Sequence, residues 1–117
     1  MLELKEITEN LELEPLLPKE TDLTRKIEGC YIGDLLSNVM AHAREADLWL
    51  TVQTHQNVVA VAQLLNLGGV VFLEGHLPDE DTIKKAKEER VPLFSTGDSA
   101  FELAGRLYKM GLNRQRP

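Results

Sequence analysis

Short apolar runs alternate with helix-like segments along most of the chain. Three runs, DLWLTV from Asp47, GVVFLE from Gly69 and VPLFST from Val91, are each followed by turn residues and then by apolar positions at helical spacing. A fourth unit, in which CYIGD leads into LLSNVMAHARE, precedes them. The runs recur about every 20 residues, which is typical of parallel strands joined by crossover helices. The sequence therefore predicts an α/β fold, a small three-layer domain with a mainly parallel four- to five-stranded sheet flanked by helices.

The first two helices of these units differ in how their apolar residues are distributed. The helix of the fourth unit carries a single apolar stripe, made of Leu35, Leu36, Val39, Met40 and Ala43. The next helix, NVVAVAQLLN, is apolar nearly all round, which predicts burial against the sheet and also against a second chain. We expect it to end at Leu67, Gly68 and Gly69. Its candidate interface residues are Val58, Val61 and Leu65.

The last two helices have clearer polar faces. Acids open the segment DEDTIKKAKEER and bases follow, which matches the helix dipole and predicts a solvated outer helix with only Ile83 and Ala86 facing inward. The final segment, SAFELAGRLYKMG, is expected to stop at Gly111. Its predicted inner face consists of Ala100, Phe101, Ala104, Leu107 and Tyr108.

The N-terminal part of the chain has a weaker pattern. LKEITENL predicts a short helix with Leu4, Ile7 and Leu11 inward, followed by an extended LEPLLP and a polar link. We divide the chain into an N-terminal helix and extended segment packed on the domain (residues 1–28), an α/β domain (29–111) and a frayed tail (112–117).

Charge and composition narrow the class of protein. Nineteen acids against 13 bases give a net charge of −6, which offers no cationic surface for nucleic acid. No apolar stretch is long enough to cross a bilayer, and the acidic N-terminus is unlike a signal peptide, so we expect a cytoplasmic protein that binds no membrane. The lone Cys30 fits a reducing compartment and is interpreted as a small packed residue.

Polar residues gather in the turns that follow the predicted strands. In a parallel sheet these turns share one edge, where open α/β folds bind ligands. N-capping and tight turning explain much of this polarity, but QTHQN, residues 53–57, has more polar groups than one helix cap requires. Such groups could bind a base, a sugar or an anion at a helix N-terminus. The candidate ligand-binding residues are Gly33, Asp34, Gln53, Thr54, His55, Asn57, Gly75, Ser95 and Thr96.

Motifs for metal binding and catalysis are missing from the sequence. His55, His76 and Asp79 fall at the same predicted edge, but their spacing matches no metal-ligand pattern. There is no phosphate-binding loop, no nucleophile elbow around Ser99 and no dinucleotide fingerprint. Asp34, Asp79 and Asp98 could serve acid–base chemistry only if two of them approach each other. We therefore expect no enzyme, no metal and no cofactor.

Residues 29–108 resemble a known family. The resemblance rests on YIGDLLSNVM, ADLWLTVQTHQNVVAVA, GVVFLEGHLPDEDTIKKAKEERVPLFST and SAFELAGRLY, and the chain is similar there to the DRTGG domain family, although the pentapeptide that names it is absent. Members stand alone or are fused to CBS-domain pyrophosphatases and phosphotransacetylases, and the family is related to the N-terminal domain of HPr kinase. The resemblance implies an accessory or regulatory module that does not itself carry chemistry.

Three hypotheses follow. The first is a non-catalytic regulatory domain, acting as a homodimer, that senses a nucleotide or another small anionic ligand at the polar edge. The alternative is a protein-interaction module for a neighbouring enzyme, with no small-molecule ligand. The third is a small enzyme that uses His55 with an aspartate.

Overall fold

The chain forms a mixed five-stranded sheet with helices on both faces. A computed structural model describes residues 1–113, so the predicted frayed tail lies outside the described residues from position 114 onward. The strands are β1 (Leu2–Glu3), β2 (Glu14–Pro15), β3 (Lys26–Ile27), β4 (Gly29–Ile32), β5 (Asp47–Thr51), β6 (Gly69–Phe72) and β7 (Leu93–Ser95). The helices are α1 (Leu4–Asn10), α2 (Leu36–His42), α3 (Asn57–Leu64), α4 (Glu80–Glu89) and α5 (Ala100–Lys109).

The main sheet has the strand order β2-β7-β6-β5-β4. Strands β4 to β7 pair in parallel, and β2 adds an antiparallel edge strand next to β7. The prediction of an α/β fold with a mainly parallel sheet of four to five strands is confirmed. A separate two-stranded sheet joins β1 to β3.

Alternating strand residues fill two cores, one on each face of the sheet. Trp49, Val70 and Phe72 point to the face that α2, α3 and α4 cover. Leu48, Leu50, Val71 and Phe94 point to the other face, where α1 and α5 pack. This alternation is the period of two that a strand imposes on its side chains. The domain therefore has three layers, with the sheet in the middle.

The N-terminal segment contributes to the second core. The predicted helix is present as α1, and Leu4, Ile7 and Leu11 are buried as expected. Leu13 and Ile27 join them in the same cluster. The segment also supplies the edge strand β2, in which Glu14 pairs with Ser95.

Helix α3 is buried on one side only. Val58 and Val61 are 0% and 7% exposed and pack in the first core, so the prediction that they face a second chain is wrong. Leu65 is half-buried against the same core. The opposite face carries Leu64, which is 65% exposed. The helix also ends before the predicted glycines, because Asn66 turns the chain at a positive φ of 53°.

Helix α5 matches its prediction in part, since Leu107 is buried and Ala100 packs against the second core. Leu103 and Leu107 are its buried residues, whereas Phe101 is 89% and Tyr108 63% exposed. The segment holds two apolar stripes, and the one with branched side chains faces the sheet. The prediction that Phe101 and Tyr108 face inward is wrong.

Helices α2 and α4 fit their predictions in part. In α2, Val39 is buried, but Leu35 is 63% and Met40 48% exposed. In α4, Ala86 is buried and Ile83 packs against the core, as expected. Thr82 is a third inward residue and is 0% exposed.

Within residues 1–113, none of the helices has the length and hydropathy to span a bilayer.

Candidate functional site

The candidate ligand-binding residues follow the four parallel strands. Gly33 and Asp34 follow β4, residues 53–57 follow β5, Gly75 follows β6, and Ser95 ends β7 directly before Thr96. Because the four strands are parallel and adjacent, these loops lie along one edge of the sheet, here called the carboxyl edge.

Asp34 joins the first two loops of the carboxyl edge. Its Oδ1 accepts hydrogen bonds from the Thr51 hydroxyl at 2.7 Å and from the backbone N–H of Val52 at 2.9 Å. In the same loop, the Gly33 carbonyl accepts a hydrogen bond from the Trp49 indole at 2.8 Å. Asp34 therefore already has a structural role, which is to hold the turn after β4 against the end of β5.

The polar insert after β5 builds its own turn. The backbone N–H of Gln53 donates to the Thr51 hydroxyl at 3.0 Å, and that of His55 donates to Gln53 Oε1 at 3.3 Å. The N–H of Asn57 donates to His55 Nδ1 at 3.1 Å. Nδ1 of His55 is thus the hydrogen-bond acceptor in this turn. Gln53 and His55 thus act largely in turning the strand into α3.

Several polar groups of the insert are left over. Among the described residues, the Thr54 hydroxyl and the Asn57 side-chain amide form no hydrogen bond, and neither do the backbone N–H groups of Thr54 and Gln56. Asn57 is exposed and Thr54 is half-buried. The Thr54 carbonyl accepts a hydrogen bond from the buried Thr82 hydroxyl at 3.2 Å, which fixes the loop on α4. These groups lie beside the N-terminus of α3, where the helix dipole favours anions.

The loops after β6 and β7 are tied to each other. Gly75 has a φ of +75° and donates its N–H to the Thr96 carbonyl at 2.9 Å. The Thr96 hydroxyl accepts the N–H of Asp98 at 3.2 Å, and the Asp98 carboxylate pairs with Arg106 at 2.9 Å. Ser95 lies in the sheet, paired with Glu14 and Phe72.

The candidate residues thus fall into two hydrogen-bonded groups. One joins the turns after β4 and β5, and the other joins those after β6 and β7. A backbone hydrogen bond of 3.0 Å from Leu73 to Thr51 connects the two. The sequence reasoning missed Thr51 and Thr82, which are 1% and 0% exposed. Two signals in the sequence could have found them. Thr51 places a hydroxyl at the end of an apolar run, and Thr82 lies three residues after the Asp79 cap.

Charges at the carboxyl edge are shaped by local hydrogen bonds. The backbone N–H of Thr82 is the main cause that holds the pKa of Asp79 below its usual range, with the nearby His55 adding to the effect. Among residues 1–113, His, Cys, Asp and Glu side chains form no group of three that could hold a metal ion. Away from this edge, burial is the main cause that raises the pKa of the Cys30 thiol to about 12, and the charge of Asp47 contributes to the same shift. A thiol with so high a pKa is a poor nucleophile.

Comparison with known proteins shows a shared fold. No family model matches the chain, and no curated protein matches it significantly. The structure is similar to that of the CBS and DRTGG domains of the regulatory region of Clostridium perfringens pyrophosphatase, complexed with its activator diadenosine tetraphosphate. The TM-score is 0.64 at 15% identity, over 88% of this chain and 44% of that one. The chain thus spans less than half the length of that relative, and the likeness supports a DRTGG-like fold.

Proposed function

We propose that this chain is a non-catalytic regulatory domain that acts as a homodimer in the cytoplasm and binds a nucleotide or another small anionic ligand at the carboxyl edge. The observation that carries the proposal is the fold shared with a regulatory region that binds a nucleotide activator. Two features of this chain support it further. Uncommitted polar groups lie beside the N-terminus of α3, and the proposed site is built on the ends of rigid parallel strands.

The proposed site is made of hydrogen-bonding groups rather than of positive charges. The chain carries a net charge of −6, and Asp34 and Asp79 lie at the same edge, so Coulomb attraction does not recruit an anion there. Backbone N–H groups and the dipole of α3 would have to hold the phosphates. Thr54 and Asn57 would contact the sugar or base, since a hydroxyl and an amide can both donate and accept. This division of roles favours a nucleotide over a simple inorganic anion.

The test is thermal unfolding of the purified chain with a panel of compounds. The panel contains adenine and guanine nucleotides, cyclic dinucleotides, acetyl phosphate and coenzyme A, with inorganic phosphate at equal ionic strength as the control. A ligand at about 100 times its Kd adds roughly 2.7 kcal/mol of stability. For a domain of this size, this raises Tm by several degrees. A rise with one compound and none with phosphate supports the proposal, and no rise with any compound contradicts the ligand site.

The second candidate is a protein-interaction module for a partner enzyme, with no small-molecule ligand. It is favoured by the internal hydrogen bonds of the carboxyl edge, since Asp34, Gln53 and His55 all have structural partners. Under this hypothesis no compound of the panel raises Tm, and this holds for Thr54→Ala and Asn57→Ala as it does for the wild type.

A further inference from the structure

The outer face of α5 is apolar and has no partner within the described chain. Phe101 and Tyr108 are 89% and 63% exposed. Together with Ala104 and Gly105 they line a shallow groove of about 510 Å³. Positions 101, 105 and 108 are spaced by four and three residues, so they form one stripe along the helix. This α5 stripe is separate from Leu103 and Leu107, which face the sheet.

Gly105 is the least expected residue of the stripe. It lies inside α5, where glycine costs about 1 kcal/mol of stability relative to alanine. Nothing lies within 4 Å of the position that its Cβ would occupy, so no packing within the described chain requires the missing side chain. A glycine of this kind allows another backbone to approach closely.

We propose that the α5 stripe is the surface on which a second copy of this chain docks, with the two α5 helices antiparallel across a two-fold axis near Gly105. An isologous contact of this kind uses the same patch on both copies. Phe101 of each copy then lies over the C-terminal half of the other α5. Ala104 and Gly105 are small enough to leave room for aromatic rings of the partner subunit.

The charges beside the stripe select this arrangement. Glu102 and Lys109 are seven residues apart, which is close to two turns, so they flank the stripe on the same side. An axis midway between residues 105 and 106 places Glu102 at the height of Lys109 of the partner subunit, and the reverse contact forms by symmetry. In a parallel two-fold pair, Glu102 of the two copies would lie at the same height on opposite sides of the stripe, away from Lys109 of the partner subunit. The contact between Glu102 and Lys109 therefore forms only in the antiparallel orientation.

The size of the patch sets the strength of the expected dimer. An aromatic side chain buries about 150–250 Å², so four of them bury roughly 600–1,000 Å². This is below the standard interface of about 1,600 Å². We therefore expect a dissociation constant in the micromolar range. This inference deepens the proposed function and rests on its homodimer. It does not depend on the proposed ligand site.

The test is sedimentation equilibrium of the full chain between about 5 and 500 µM. The wild type should pass from monomer to dimer over this range. Phe101→Glu should weaken association by at least about 100-fold, because it places a charge in each half of the interface. Gly105→Gln should also remain monomeric, while the monomer melts at a higher temperature because glutamine is the better helix former. Leu64→Glu, on the exposed face of α3, is the matched control and should dimerise as the wild type does.

A reversal of charge tests the orientation of the two helices. Lys109→Glu should weaken association by about two- to five-fold at low salt, an effect typical of an exposed pair, and the difference should fade at high salt. A wild type that stays monomeric at about 500 µM contradicts both the dimer and this surface. A Phe101→Glu variant that dimerises normally contradicts the surface alone. Repeating the nucleotide panel with Phe101→Glu separates the two proposals, because a Tm rise in the monomer leaves the ligand site intact.

Discussion

Asp34 Oδ1 accepts a hydrogen bond from the Thr51 hydroxyl at 2.7 Å, and this contact joins the turns after two neighbouring parallel strands. The donor is 1% exposed, and the acceptor also receives the N–H of Val52. An aspartate that sequence reasoning places in a ligand site thus has a structural task in the free protein. Any ligand at this edge meets a turn that is already fixed.

Replacing Asp34 by Ala should lower the free energy of unfolding by roughly 1–3 kcal/mol, because the buried Thr51 hydroxyl loses its acceptor. Thr51→Val removes the donor and should cost less in the Asp34→Ala background than in the wild type. Urea unfolding of the two single variants and the double variant gives the coupling free energy, which we expect to exceed about 0.5 kcal/mol. Strict additivity would show that the contact contributes nothing to stability.

The fold could be predicted because strand patterns and helix periods agree along the chain. Three apolar runs are followed by turn residues and are spaced at the length of a crossover connection. This pattern predicts a parallel sheet, and the main sheet is mainly parallel. The face of a helix could not be predicted where the sequence offers two apolar stripes. In α5, both 101/104/108 and 103/107 are apolar, and only packing against α1 and the sheet selects the second.

The candidate site could be predicted only as far as the ends of the strands. Parallel pairing places the four loops at one edge, so their neighbourhood follows from the fold. The fold does not determine which polar atoms lack a hydrogen-bond partner. That depends on hydrogen bonds between residues two positions apart, such as the one from the Asn57 N–H to His55 Nδ1.

The burial of Val61 in the core could not be predicted from the sequence either. Val61→Glu should lower the free energy of unfolding by more than about 4 kcal/mol, because it places an unpaired charge in the core. Urea unfolding checks that value, and a stable, folded Val61→Glu protein would contradict it.

Thr54 and Asn57 should contribute to ligand binding without contributing to folding. With the nucleotide that raises Tm most, Ala at either position should weaken affinity by roughly 3- to 10-fold, the effect of one lost hydrogen bond. The Tm of the free protein should stay unchanged, because neither side chain forms a hydrogen bond among the described residues. Isothermal titration measures the affinity, and Gln63→Ala on the exposed side of α3 is the control.

Gln53→Ala and His55→Ala should behave differently from those two variants. Both side chains accept a backbone N–H in the turn, so their loss should lower Tm of the free protein. If Thr54→Ala and Asn57→Ala both retain wild-type affinity, the ligand does not bind at these residues.

The Asp79 cap of α4 should make stability depend on pH in acid. Asp79 Oδ1 accepts the N–H of Thr82 at 2.9 Å, and this bond lowers the pKa of Asp79 in the folded chain. The unfolded chain therefore binds more protons than the folded chain near the usual Asp pKa of about 3.9. The contribution is fully present above that pH and is lost as the pH falls through the lower, folded-state value. Asp79→Asn should thus be less stable than the wild type at neutral pH, and the difference should shrink below about pH 4.

Urea midpoints at about pH 7, 5 and 3 measure this dependence on both sides of the Asp pKa. Asp81→Asn is the matched control, since it removes a charge from the same first turn of α4 without removing the cap. A difference between wild type and Asp79→Asn that stays constant down to about pH 3 would argue against a charged cap.

Gly68 should be intolerant of a methyl group because the N-terminal segment packs directly on it. A Cβ at this position would lie 2.2 Å from Cδ1 of Ile27, a residue of β3 that is 0% exposed. Gly68→Ala should therefore cost about 1–3 kcal/mol through overpacking. Ile27→Val removes that methyl group and alone costs about 0.5–1.5 kcal/mol. The double variant should be more stable than the sum of the two single effects predicts, as measured by urea unfolding.

Gly97→Ala is the control for Gly68→Ala. Nothing lies within 4 Å of the Cβ position at residue 97, so this variant should stay within about 0.5 kcal/mol of the wild type. Additive effects of Gly68→Ala and Ile27→Val would mean that β3 does not pack against this turn.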